Sequence, residues 1–413
     1  MNNKVRVGVL GAFRGGEMIK YCKDAENAEL VAICDKYLPA LEKQKEKCGD
    51  SVTYYTDFDE FIKHDMDAVV LANYATEHAP FAIKCLKAGK HVFSEVLPCQ
   101  TMKEAVELVE AVEESGLIYF YGENYCFMRS TAEMNKLYNA GALGELEYAE
   151  CEYVHNCETV WPIITYGDKD HWRNNMHACF YCTHSLGPII HITGLRPVKV
   201  TGYEGKHIER NLRVGMKSGG FGMEVVELEN GALVKSLHGG LYKNSYWFSM
   251  YGSKGRMESA REDASEDKYS RIYVNVDDYS GQYKTPEIKT YIPERPMDDR
   301  AVGYTHNGGD FYTMYNFIEA VKGNKDADVI DVYEAMDMAL PGMFAYRSVL
   351  AGGIPLEVPN LRDKSVREKY RNDTACTDPK VAGDMLIPSF SLGNPDIPDE
   401  VYESVKQKYL EKK

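Results

Sequence analysis

Apolar and polar positions along the first third of the chain follow two alternating periods. Val5 to Leu10, "AELVAICDKY" as far as Asp35, "DAVVLANY" (Asp67 to Tyr74) and "HVFSEVL" (His91 to Leu97) are apolar-rich runs of strand length. After the first, "GEMIKYCKDA" spaces Met18, Ile19 and Cys22 as a helix does, and "HAPFAIKCLKAG" and "MKEAVELVEAVEESG" repeat that spacing later. Strands and helices alternating through short loops predict a doubly wound parallel sheet, whose ligands bind at the carboxyl ends of its strands. Further on the period shortens. "GALVKSLHGG", "YWFSMYGSKGRME" and "SRIYVNVDDY" alternate apolar with polar residues between glycine turns, predicting antiparallel strands of a second sheet. Helical spacing returns in "DFYTMYNFIEAVKG" and "VYEAMDMALPGMFAYRSVLAGG", predicted to pack back on the first domain. Glu258 to Lys268 reads as a solvated charged loop. Beyond Arg362 the chain turns polar and then proline-spaced in "IPSFSLGNPDIPDE", an extended tail expected to wrap its own subunit or a neighbour.

Length and charge narrow this picture. At 413 residues and 44% hydrophobic content the chain can fill two cores. The pattern divides it into residues 1–125, 126–360 and the tail 361–413. The net charge of −15 excludes the basic face that nucleic acid or an anionic membrane would call for. No run approaches the roughly 18 apolar residues of a membrane span. "MNNKVRVGVLG" enters a strand at once, leaving no room for a signal peptide and predicting a cytoplasmic protein with reduced thiols. Of the eleven cysteines, Cys179 and Cys182 form a CxxC, but no second CxxC completes a zinc set and no metal is expected.

The turn after the first strand carries candidate chemistry. A dinucleotide loop wants G-x-G-x-x-G, and the frame here is Gly11-Ala12-Phe13-Arg14-Gly15-Gly16, with Phe13 in the middle glycine's place. The loop opens a helix whose first N–H groups suit a pyrophosphate, and Arg14 either adds a contact there or stays solvated. Asp35 lies where the ribose-binding acid of a Rossmann domain falls. A carboxylate there holds both ribose hydroxyls and repels a 2′-phosphate, favouring NAD over NADP.

At "GKHVFSEVLP" and "GENYCFMRSTAEMNKLYNAGALGELEYAECEYVH" the chain resembles the Gfo/Idh/MocA oxidoreductases, over roughly residues 4 to 360. The resemblance implies an N-terminal Rossmann doubly wound parallel sheet and a C-terminal α/β domain with an open, largely antiparallel mixed sheet. It also implies Glu95 near the nicotinamide ribose, Asn73 and His78 in a loop beside the cofactor, and Asn124 with them. Sugar dehydrogenases of that family carry Glu-Lys-Pro, whose lysine handles the proton of the alcohol. Here Glu95 is followed by Val96 and Leu97, and valine moves no proton.

"HWRNNMHACFYCTHSLGPIIHITG" then resembles a branch of that family, the NAD-dependent glycosidases of glycoside hydrolase family 109. Tyr153-Val154-His155 matches its Tyr-x-His, and Tyr181 to Pro188 matches its Tyr-Pro-Thr-His-x-Leu-Gly-Pro with Cys182 for the proline. The branch implies tightly bound NAD recycled within each turnover: oxidation of a glycoside at C3, elimination across C1–C2, addition of water and re-reduction. His184 would take the C3 hydroxyl proton, Tyr181 would be the C2 base or the enolate donor, and Tyr153 with His155 would serve the leaving group and water. Trp172, Arg173 and His306 are candidate substrate contacts, with either Tyr242 or Tyr246. The competing reading makes these aromatic residues plain core packing. Alternatives for the whole chain are a sugar or inositol dehydrogenase, a 3-keto-glycoside-forming oxidoreductase, or a catalytically silent sugar- or nucleotide-binding protein. A homo-oligomer, dimer or tetramer, is expected through the second sheet.

Overall fold

The computed structural model describes residues 4–263, 270–276 and 288–412. It falls into two compact units, each assembled from three separate stretches of chain. The first comprises Met1–Met128, Glu294–Met336 and Leu361–Asp373; the second comprises Arg129–Pro293, Asp337–Asn360 and Thr374–Lys413. The serial boundaries drawn from the sequence therefore differ from this division. Hydropathy marks which faces need burial but not which sheet a returning helix will cover.

In the first unit β1 (Val5–Leu10), β2 (Ala28–Cys34), β3 (Thr53–Tyr55), β4 (Ala68–Leu71), β5 (His91–Ser94) and β6 (Tyr119–Tyr121) form one sheet in the order β3-β2-β1-β4-β5-β6. Every pairing is parallel. The four apolar runs are β1, β2, β4 and β5. Strands β3 and β6 have three residues each, too few to show a period, and so escape a reading of the pattern. The helix Met102–Ser115 shows how sequence sets an element's limits. The Thr101 side chain accepts the Glu104 N–H at 3.1 Å, and Gly116 closes the helix at φ 62°. Helix Gly309–Val321, which the serial boundaries put in the second domain, belongs to this unit and packs on helix Gly16–Asp24, with the Tyr21 and Phe311 rings 5.5 Å apart. Of the other helix predicted to pack back, Val332–Leu350, the part from Asp337 on belongs to the second unit. A fully buried Arg367, from the last segment, pairs its Nη1 with Glu113 Oε2 at 2.7 Å.

In the second unit β7 (Leu146–Val154), β8 (Pro197–Glu204), β9 (Phe221–Leu228), β10 (Leu233–Gly239), β11 (Ser245–Gly252), β12 (Gly255–Ser259), β13 (Ile272–Val276), β14 (Lys289–Tyr291) and β15 (Leu356–Glu357) form a second sheet. The order is β14-β13-β12-β11-β7-β10-β9-β8-β15, with β7–β10 the parallel pair in an otherwise antiparallel ladder. Burial alternates strictly along β9, so one face is covered, and helix Thr183–Thr193 packs there against β7, β10 and β11. Of the charged loop, Glu258 and Ser259 end β12, while residues 264–268 lie outside the described residues.

The tail is not simply extended. It contains the 13-residue helix Asp399–Glu411, which packs on helix Trp161–Thr165; Val405 joins Trp161, Val214 and Met216 in one apolar cluster. Prolines at 395 and 398 delimit this helix rather than prevent it, since Pro398 sits at its N-cap. Among the described residues no helix is long and apolar enough to cross a membrane.

Candidate active site

The glycine loop of the first unit turns where the sequence places it, but its glycines divide the work differently. Gly11 has φ 101°, and a side chain there would strike the backbone of Ala72. Gly15 has no room either, because a Cβ would run into the Gly11 carbonyl oxygen and the Val9 side chain. At Gly16 the nearest atom to an added Cβ is 3.9 Å away, so the close approach of loop and helix rests on Gly15 instead. Phe13 has no positive φ and is 66% exposed; the loop tolerates a side chain where the fingerprint has glycine. Asp35 reaches back to this loop, its Oδ2 accepting from the Ala12 N–H at 2.7 Å and its Oδ1 from the Tyr37 N–H at 2.8 Å. Each oxygen keeps a second lone pair.

Arg14 departs from both sequence readings. Rather than reaching for a phosphate or standing in solvent, it bridges two buried carboxylates, Glu95 Oε1 at 2.8 Å and Asp310 Oδ1 at 3.0 Å. Asp310 also accepts from Asn124 Nδ2 at 2.8 Å, pairs with His306 Nδ1 at 2.8 Å and takes the Thr305 hydroxyl. Burial opposes ionisation of Asp310, yet the Arg14 guanidinium and His306 outweigh it and hold the carboxyl far below the usual range. Burial pushes Glu95 the other way while Arg14 draws it down. His306, expected at the substrate, thus belongs to an ion-paired cluster with Glu95 and Asn124. Asp310 is the hub that pattern reading passes over, because it looks like an ordinary first-turn acid of the helix.

The residues present suit a dinucleotide. Asn73 Oδ1, His78 Nε2 and Asn124 Oδ1 are buried and meet no hydrogen-bond partner among the described residues. Groups so placed call for a polar ligand. The His78 Nδ1–H donates to the Leu97 carbonyl oxygen, 2.9 Å away, and burial pushes its pKa down to about 4, so its imidazole is neutral. Val96, beside Glu95, is buried and apolar.

The second unit gathers the aromatic candidates. Tyr153 stands near the end of β7, in register with His238 of β10 on one side and Tyr246 of β11 on the other. Paired residues share a face of the sheet, and it is the face that helix Thr183–Thr193 covers. That helix brings His184 in its first turn and Tyr181 just before it. Ring centroids lie 4.7 Å apart for Tyr153 and His184, 5.2 Å for Tyr181 and His184, and 5.5 Å for Tyr153 and Tyr246. The Tyr153 hydroxyl meets His155 Nδ1 at 3.2 Å. Arg173 lies over the Trp172 ring at 4.4 Å and the Tyr181 ring at 5.3 Å. Of the two tyrosines left open, Tyr246 joins the cluster. Tyr242 is 66% exposed, with Arg210 and Lys243 near its ring.

Tyr153, His155, Arg173 and Tyr181 line a pocket of about 670 Å³, measured to its open mouth, with Trp161 on its wall and His238 also lining it. Aromatic walls with a few converging polar groups are what small-molecule sites present. Burial pushes the Tyr153 phenol well above its ordinary value, the neighbouring Cys157, Tyr181 and Tyr246 add to this, and Arg173 opposes it without prevailing. Tyr153 is therefore a proton donor at neutral pH, not a phenolate. His238 had no signal in the sequence beyond its alternate position in "LVKSLHGG".

Both halves have counterparts in known proteins. Residues 5–123 match the oxidoreductase family with an NAD-binding Rossmann fold, Gfo/Idh/MocA, and residues 203–367 match the C-terminal domain of glycosyl hydrolase 109. The chain thus carries one domain that matches the Gfo/Idh/MocA oxidoreductases and a second that matches the glycosyl hydrolase 109 C-terminal domain. It is similar along most of its length to proteins named glycosyl hydrolase family 109 proteins. One from Solibacter usitatus is 24% identical, over 87% of this chain and 88% of its own; another, from Streptomyces coelicolor, is 24% identical over 92% and 88%. Among solved structures, a levoglucosan dehydrogenase in complex with NADH and L-sorbose shares the fold, with a TM-score of 0.69 at 16% identity over 87% of this chain and all of its own.

Proposed function

We propose that the protein is an NAD-dependent glycosidase that opens glycosides by transient oxidation at C3, elimination across C1–C2, addition of water and re-reduction. The observation that carries this reading is one pocket lined by Tyr153, His155 and Tyr181, with the His184 ring packed against Tyr153 and Tyr181 beside it, in a chain whose position 96 is valine. Bound NAD⁺ would supply the hydride acceptor and return the same hydride, which makes the overall reaction redox-neutral. Gly11, Gly15 and Asp35 would hold its pyrophosphate and ribose ends; Asn73, His78 and Asn124 offer the unpartnered polar atoms for the rest.

The proton work falls to this chain's own side chains. His184 takes the C3 hydroxyl proton, since an imidazole nitrogen can accept it and later give it back. Once C3 is a ketone, the C2 proton is acidic, and Tyr181, with the Arg173 guanidinium over its ring, removes it or steadies the enolate oxygen. The protonated Tyr153 phenol donates to the departing C1 oxygen, and His155, 3.2 Å from that phenol, restores its proton and later activates water. Trp172 and Tyr246 frame the sugar. A homo-oligomer through the second sheet is part of the proposal: Met223 and Leu237 pair on the face opposite Tyr153 and are partly exposed.

The test is turnover of a panel of aryl glycosides in D₂O without added NAD. Released sugar should carry deuterium at C2. Tyr181→Phe should abolish that exchange, with turnover falling by about 10²–10⁴-fold and NAD binding unchanged. Stoichiometric NADH without C2 deuterium would replace this reading with a plain sugar dehydrogenase.

A further inference from the structure

Beneath the aromatic pocket lies a second cluster that the proposed chemistry does not use. Glu224 of β9, His238 of β10 and Cys179 are all buried, and one ligand atom from each lies within 4.8 Å of the other two. Neither carboxylate oxygen of Glu224 and neither ring nitrogen of His238 makes a well-aligned hydrogen bond among the described residues; the Ser236 hydroxyl beside Glu224 and the Ala178 and Cys179 backbone beside His238 are the nearby polar groups. Two polar side chains left so in a packed interior would cost several kcal/mol between them. His238 Nδ1 and Glu224 Oε2 are 3.6 Å apart. That is too long for a hydrogen bond, yet close to the about 3.3–3.4 Å that separates two N or O ligands on one tetrahedral zinc ion. The Cys179 thiol makes only a long contact, 3.9 Å, to the Tyr203 carbonyl.

We propose that Cys179, Glu224 and His238 bind a divalent cation of intermediate softness, of the Zn²⁺ class, with a fourth position left to water or a pocket ligand. The donor set supports this choice: thiolate and imidazole favour zinc over magnesium or calcium, and one carboxylate completes a three-ligand site. Binding releases two protons to solvent, from the Cys179 thiol and from the Glu224 carboxyl, which burial pushes up to about 8, and no electron moves. Gly222 keeps the site open, because a Cβ there would lie 2.6 Å from the Ala178 carbonyl oxygen and 2.9 Å from His238 Nε2. That carbonyl is a ready acceptor for the ring nitrogen not on the metal, the arrangement that commonly fixes a ligating imidazole. His238 also lines the aromatic pocket, which gives the ion a way in. The CxxC is thus split. Cys179 faces the cluster, whereas Cys182 Sγ lies 3.4 Å from the Met338 carbonyl oxygen. Because Cys179 is two residues before Tyr181, the ion would pin the segment that carries Tyr181 to β9 and β10, which makes Glu224 and His238 positioning residues for it.

The experiment uses full-length untagged protein stripped with a chelator and titrated with Co²⁺. One equivalent should give the near-ultraviolet thiolate-to-cobalt band and the intense visible bands of a tetrahedral site. Cys179→Ser should remove the thiolate band and Cys182→Ser should retain it. Glu224→Gln, nearly isosteric, should weaken Co²⁺ binding at least tenfold and erase the rise in melting temperature that Zn²⁺ gives the stripped wild type. No thiolate band in the wild type, or a band that survives Cys179→Ser, overturns the site. Should Cys179→Ser fail to fold, unchanged Co²⁺ affinity in Glu224→Gln overturns it equally. NAD binding should be the same with and without the metal, so failure here leaves the glycosidase reading standing.

Discussion

Around Asp310, in the first unit, polar side chains are held by opposite charge: one guanidinium spans two buried carboxylates, and an amide, an imidazole and a hydroxyl complete the set. Around Tyr153, in the second, they are packed by ring contacts, with the Arg173 guanidinium beside them and a bond of 3.2 Å joining Tyr153 to His155. The first arrangement is fixed before any ligand arrives, which suits a cofactor that must be gripped in one pose. In the second, burial raises the pKa of the Tyr153 phenol and so keeps it protonated. The first unit fixes its geometry by opposite charge; the second fixes it by ring packing.

That contrast can be broken most severely at Arg14. Arg14→Met leaves two carboxylates buried without their cation, and unit-one stability should fall by about 3–5 kcal/mol. Hydrogen exchange would register this as faster exchange in β1, β4 and β5; an unchanged profile would mean the bridge is dispensable. Next, Gly15→Ala should cost about 1–3 kcal/mol through overpacking against Gly11 and Val9 and should weaken NAD binding, whereas Gly16→Ala should leave both nearly intact. Calorimetry with NAD separates the two. Acid should then expose the first unit's dependence on ionised acids. Arg367 hydrogen-bonds Glu113 and holds its pKa down to about 2, below the ordinary value of about 4.3. This stability is complete above the unfolded value and is lost as pH falls from about 4.3 through about 2. Glu113→Gln should flatten that limb of the pH–stability curve, and an unaltered curve would assign acid sensitivity elsewhere. The smallest effect is expected in the ring cluster. Removing one hydroxyl by Tyr246→Phe should slow glycoside turnover by about tenfold without moving the melting temperature, while Tyr242→Phe should alter neither.

Much of the architecture was readable because the signals are local. Apolar runs of six or seven residues marked β1 and β2, and helical spacing marked Gly16–Asp24, His78–Lys87 and Met102–Ser115. The three-residue strands β3 and β6, and the nine-residue β7 that carries Tyr153, drew no such mark. Alternation in β7 holds only from Ala149 to Tyr153, with Glu150 and Glu152 on one face; Glu147 on the other face, and Tyr148 and Val154 on the face of those two glutamates, blur the contrast. For the site, the Tyr181/His184 and Tyr153/His155 motifs were legible as local strings, and so was Asp35.

What the sequence by itself determined is therefore a set of short-range facts: which segments bury both faces, where the chain must turn with a glycine such as Gly11, and which strings carry phenols and imidazoles. Tertiary structure decided the long-range ones. It joined Arg14 to Asp310 across 296 positions, chose Tyr246 over Tyr242 through the register of β11 on β7, and set Cys179, Glu224 and His238 in one buried cluster. The physical reason is that period and turn chemistry act over a few residues. Strand register and ion pairing instead depend on which distant segments the whole fold brings within reach.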